Sequence, residues 1–148
     1  MTNLSTLDIN LDITFKAPLA KVWKALAEDI GLWWRKDFHT SPNTKEFILE
    51  ARPGGKMYED YGNGNGLVWA DVIAVDAPHL LEMKGQLTPQ FGGPAITFLK
   101  LALSEEDGVT TLKLSDTIMG AVSESTSKSL ESGWKLIFGE AMKTFVES

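Results

Sequence analysis

Residues 130–145 carry the chain's only long helical pattern: Leu130, Trp134, Ile137, Phe138, Ala141 and Phe145 recur at three- and four-residue intervals along one helix face. Ahead of it lies a succession of short extended segments. A sheet with one apolar face must be covered, and this helix is the only long amphipathic element available to cover it. A strongly twisted sheet wrapped around one helix leaves a tapering space between them, where a small-molecule site is expected.

The extended segments announce themselves by period two. Leu7, Ile9, Leu11, Ile13 and Phe15 alternate with Asp8, Asn10, Asp12 and Thr14, the pattern of a strand lying on a core. Pro18 suits the first position of a helix, where its missing N–H costs nothing. Leu19, Val22, Trp23 and Leu26 follow at helical spacing, so a short helix is predicted over 18–28, with another turn or two around Ile30 to Arg35. Strands are then predicted over 46–51, 56–61, 67–75, 80–87, 96–103 and 109–119. Turn formers separate them, notably Pro53-Gly54-Gly55, the run Gly62 to Gly66 and the stretch Ser104 to Gly108. Such spacing points to an antiparallel meander. The last helix begins somewhere in Ser123 to Ser129, which offers several N-caps.

The chain has 148 residues, enough for one domain over 1–148 that buries about 70% of its unfolded surface. With no cysteine, disulfides, thiol catalysis and cysteine-ligated metals are excluded, and a reducing cytoplasm is the expected location. Net charge is −6, which argues against nucleic-acid binding, since that needs a concentrated positive surface. Membrane insertion is not expected, because no apolar run approaches the roughly 20 residues a span requires. Nor does Met1 to Asn10 have the basic-then-apolar layout of a secretory leader.

Several stretches resemble one superfamily. Ile13-Thr14-Phe15-Lys16-Ala17-Pro18 running into Val22-Trp23-Lys24-Ala25-Leu26 is similar to the opening of START-like (SRPBCC) domains. Glu50 to Lys56, with its glycine pair, resembles the Aha-like branch, named for the activator of the Hsp90 ATPase. So do Trp69 to Val72 with Val75 to Pro78, and Gly133-Trp134 heading a helix that ends Phe145-Val146-Glu147. The resemblance implies an α+β helix-grip fold: a curved antiparallel sheet of about seven strands around the long C-terminal helix, with one or two short helices after the first strand. It implies much less about activity, because the superfamily includes lipid carriers, hormone receptors, aromatic cyclases and co-chaperone domains.

Candidate pocket residues follow from that fold. Trp33 and Trp34 are either a lid over the pocket, with Arg35 and Lys36 beside them, or one core tryptophan with a partly exposed neighbour. Trp69 shares a strand face with Asp71; if that face is inward, Asp71 is a carboxylate in apolar surroundings with a possible acid/base role, and otherwise it is solvated. Asp116 interrupts the apolar even-numbered face of Leu112, Leu114 and Ile118, where an inward acid must be paired or protonated. It is a ligand anchor or a strand-end cap. Trp134, Phe138 and Met142 are pocket wall or plain core, and Gly133 allows a close approach. Met57, Met83 and Phe98 are expected to contribute from the sheet.

Other chemistries lack support. His39 and His79 are the only histidines and share no ligand spacing, so neither a metal nor another cofactor is expected. No serine stands in a nucleophile-elbow setting. The glycine run 62–66 lacks the Gly-Lys-Ser/Thr ending of a phosphate loop and reads as a hairpin turn. Three readings remain: a binding module for a small hydrophobic or amphipathic molecule; a cyclase-, dehydratase- or hydrolase-like enzyme using Asp71 or Asp116 with Tyr58 or Tyr61; and a co-chaperone-like interaction domain. Open sheet edges permit a homodimer without requiring one.

Overall fold

The computed structural model describes residues 3–148. Seven strands form one antiparallel sheet in the order β1-β7-β6-β5-β4-β3-β2. They are β1 (Ser5–Phe15), β2 (Glu46–Leu49), β3 (Lys56–Gly62), β4 (Asn65–Asp76), β5 (Leu80–Leu87), β6 (Ala95–Glu106) and β7 (Val109–Gly120). Two short helices, α1 (Leu19–Ala27) and α2 (Ile30–Trp33), follow β1. The chain closes with α3 (Glu124–Leu136), a π-helical stretch over Ile137–Met142, and α4 (Lys143–Glu147). Together these last three make one C-terminal helix, capped at its start by Ser123 Oγ, which accepts from the Thr126 amide. The expected helix-grip fold is the one observed.

Turn chemistry sets the hairpins. Asn63 and Gly64 both take positive φ between β3 and β4, as do Asp107 and Gly108 between β6 and β7. Two consecutive left-handed residues match the twist of the strands they join, which is why Asn-Gly and Asp-Gly occupy these turns. The glycine run is a hairpin.

The inward faces of the strands meet the C-terminal helix. Phe15, Leu81, Leu101, Leu112, Leu114 and Ile118 are fully buried from the sheet, and Ile137, Phe138, Met142 and Val146 from the helix. In an ideal α-helix, residues spaced by four drift about 40° per step. The wider π turn at 137–142 offsets that drift and keeps Trp134, Phe138, Met142 and Val146 on the buried face.

Candidate functional site

The period-two rule places Asp116 on the same inward face of β7 as Leu112, Leu114 and Ile118, and only 2% of it is exposed. Its Oδ2 accepts a hydrogen bond of 2.9 Å from Trp134 Nε1, and its Oδ1 has no partner. Burial pushes the carboxyl up to about 6, against the smaller opposing effect of the Trp134 bond. Asp116 is therefore no strand-end cap. Its neighbours across the ladder, Ile9 and Leu99, offer it nothing polar from their side chains.

Beside this acid is a small, partly open cavity of about 60 Å³, lined by Met57, Trp69, Gly85, Thr97, Leu99, Leu130 and Trp134. A Cβ at Gly85 would stand 2.6 Å from Thr97 Oγ1 and 2.8 Å from the Trp69 carbonyl oxygen, so a side chain there would invade this space. Half-buried Leu87 and Leu130 and the exposed Gln86 stand at its outer side. Pockets that take drug-sized ligands run to roughly 300–1,000 Å³. This cavity is far smaller. A wider depression of about 710 Å³, between β1 and the C-terminal helix, is an open surface groove edged by charged side chains such as Asp12, Lys135 and Glu140.

Trp69 reaches the cavity through a bulge. Met57 pairs with Ala70 and Tyr58 with Val68, which leaves Trp69 as an extra residue in β4. One extra residue breaks the alternation, so Trp69 and Ala70 both reach the interior although they are consecutive. Asp71 then falls on the outer face, where its carboxylate pairs with Lys56 Nζ at 2.5 Å and its side chain is 46% exposed. Asp71 is not a buried acid. Exposed pairs of this kind contribute about 0–1 kcal/mol, so Asp71→Asn is expected to change denaturant stability by less than about 1 kcal/mol.

A second buried carboxylate, Glu59, lies behind Trp69 with no exposed surface. Trp69 Nε1 donates to its Oε2 at 2.6 Å, and Thr44 Oγ1 donates to its Oε1 at 2.6 Å. The Thr40 amide and hydroxyl donate to it as well, and Thr40 Oγ1 in turn meets Tyr61 OH at 2.5 Å. Glu59 thus ties the 40–44 segment to β4 and holds the Trp69 indole. Sequence reasoning passed it over, yet alternation from Met57 puts Glu59 on the same inward face.

The remaining expected pocket residues divide between core and surface. Trp33 and Trp34 are both buried, because α2 ends at Trp33 and Trp34 turns extended, which lets two consecutive indoles face inward. Trp34 stacks on Phe47 at 3.9 Å between ring centroids and meets Trp69 and Phe138 edge-on. They are core, not a lid, and Arg35 bonds to Asp37 rather than pointing inward. Met83 and Phe138 are buried in the core without lining the cavity, whereas Met57, Trp69 and Trp134 line it. Phe98 is a correction: it is 39% exposed on the outer face, opposite the inward Leu99, Leu101 and Leu103. At Gly133 the close approach is made by the Phe38 ring, 3.4 Å from where a Cβ would stand.

Neither tyrosine serves Asp116. Tyr61 is engaged with Thr40, and Tyr58 sits on the strand face opposite Met57 and Glu59. His79 Nδ1 lies 3.1 Å from the Leu103 carbonyl, while His39 caps a short 3₁₀ turn elsewhere. Among the described residues no group of three or more His, Asp or Glu is arranged to hold a metal, and no helix is long and apolar enough to cross a membrane.

The family model for activator of Hsp90 ATPase homolog 1-like protein matches residues 16–147. The chain belongs to that family. Among solved structures, this Hsp90-activator-like domain is similar to Mll3558 from Rhizobium loti, at 17% identity and a TM-score of 0.72 over 96% of this chain and 98% of the other. It is similar to CalU16 from Micromonospora echinospora, at 19% identity and a TM-score of 0.66 over 99% and 83%. Norcoclaurine synthase from Thalictrum flavum matches at 12% identity and a TM-score of 0.65 over 97% and 87%. At such identities these likenesses establish the fold alone. No curated protein matches the sequence significantly.

Proposed function

We propose that this Hsp90-activator-like domain, acting as a single unit over 1–148, binds a small apolar or amphipathic molecule head-first in the Asp116 cavity. The observation that carries the reading is the partnerless Oδ1 of a carboxylate that is 2% exposed and borders a partly open, mostly apolar space. A buried acid with one oxygen unsatisfied costs stability, and a packed leucine would cost none. A ligand that donates to Oδ1 removes that penalty. Solved relatives of this fold that include a synthase add fold-level support only. A net charge of −6 and the lack of cysteine fit a cytoplasmic protein that engages a small molecule rather than nucleic acid.

Native mass spectrometry of the purified protein tests the reading. The expected result is an adduct above the polypeptide mass that denaturation releases and that Asp116→Leu fails to carry. An adduct held equally well by Asp116→Leu would place the binding elsewhere and overturn the assignment.

A further inference from the structure

The polar groups around the cavity are unevenly committed. The Trp134 indole N–H is spent on Asp116 Oδ2 and the Trp69 indole N–H on Glu59. Gln86 Nε2 is spent on the Val68 carbonyl at 2.8 Å and reaches the Trp69 carbonyl at 3.4 Å. Left over are Asp116 Oδ1, which has no partner and is almost completely covered, the Thr97 hydroxyl, which can accept or donate, and the π systems of two indole walls. Asp116 is the only titratable side chain among the lining residues, so no fixed cation balances it. The side chains that flank it from β1, β6 and α3, namely Ile9, Leu99, Leu130 and Trp134, carry no charge either.

Resting on the binding reading above, we infer that the ligand's head group is a primary ammonium. Its N–H groups complete Asp116 Oδ1 and Thr97 Oγ1, the indoles of Trp69 and Trp134 flank the cation, and a short apolar chain leaves past Leu87 and Leu130. An ammonium brings several N–H donors and a compensating charge to Asp116 and Thr97, while a carboxylate ligand would set a second negative charge beside Asp116. A cavity of about 60 Å³ suits such a head and excludes a bulky quaternary ammonium.

The test compares two isosteric probes, n-butylammonium and 1-butanol, by the indole N–H resonances of ¹⁵N-labelled protein at pH 7.5. Trp134 reports the cavity and the remote Trp23 serves as control. The expected result is that n-butylammonium binds at least tenfold tighter than 1-butanol. Asp116→Asn should erase that preference, leaving the two probes within about threefold of each other. In the wild type, ammonium affinity should fall about tenfold per pH unit well below 6, as Asp116 takes up its proton and loses its charge. Equal or tighter binding of 1-butanol would overturn the ammonium assignment and leave the binding reading standing. If neither probe moves the Trp134 signal at tens of millimolar, both the ammonium assignment and the cavity reading it rests on are overturned.

Discussion

Replacing Glu59 by alanine is expected to destabilise the fold by about 3–5 kcal/mol, the larger of two effects that distinguish this interior from an ordinary apolar core. The carboxylate has no exposed surface and takes hydrogen bonds from the Thr40 amide, the Thr40 and Thr44 hydroxyls and the Trp69 indole. The hydroxyls can turn to other acceptors, but the two N–H donors cannot. Each buried donor left without a partner costs about 1–3 kcal/mol. For a chain of this size the loss corresponds to a melting temperature lower by roughly 10 °C. Glu59→Gln keeps one acceptor oxygen and should recover part of the loss. Urea unfolding of the three proteins checks this, and a loss below about 1 kcal/mol in the alanine variant would show that the 40–44 segment is not held by Glu59.

Asp116→Asn is expected to act in the opposite direction. Burial holds the folded carboxyl at about 6, above its ordinary value of 3.8. In the folded state the proton is therefore kept to higher pH than in the unfolded chain. The sign follows: the wild type has its greatest relative stability below pH 3.8, loses it between about 3.8 and 6, and stays at the lower level above 6. At about 1.4 kcal/mol per unit, ionisation at neutral pH costs about 3 kcal/mol. Asparagine keeps an oxygen for Trp134 Nε1 and cannot ionise. The variant should be more stable than wild type by about 1–3 kcal/mol at pH 7.5, and the gain should vanish near pH 4. The Trp134 indole resonance of the wild type should titrate with a midpoint near 6 while Trp33, bonded to the Ala25 carbonyl, stays still. A pH-independent difference between variant and wild type would mean that Asp116 is not ionised in the apolar setting described.

Much of the architecture was legible because local chemistry and long-range packing agree. The even-numbered face of β7, with Asp116 interrupting it, is plain alternation, and the Asn63-Gly64 turn needs two residues tolerant of positive φ. The four-residue spacing of Trp134, Phe138 and Met142 marked the helix face, although not the π turn that sustains it. The site was less legible where one residue shifts the register. The extra residue at Trp69 brings both it and Ala70 inward and sends Asp71 out, and no periodicity rule foresees a bulge. Trp33 and Trp34 face inward together only because the helix stops between them. Phe98 is different, since its outward direction follows from the inward Leu99 and Leu101.

Binding at the Asp116 cavity is read most directly by a fragment titration followed through the indole N–H signals of the tryptophans. Small molecules bearing a donor are expected to shift Trp134 and Trp69 together, saturate with one site, leave Trp23 unmoved and lose their effect on Trp134 in Asp116→Leu. Saturable binding that moves neither Trp134 nor Trp69, or that survives unchanged in Asp116→Leu, would contradict this expectation.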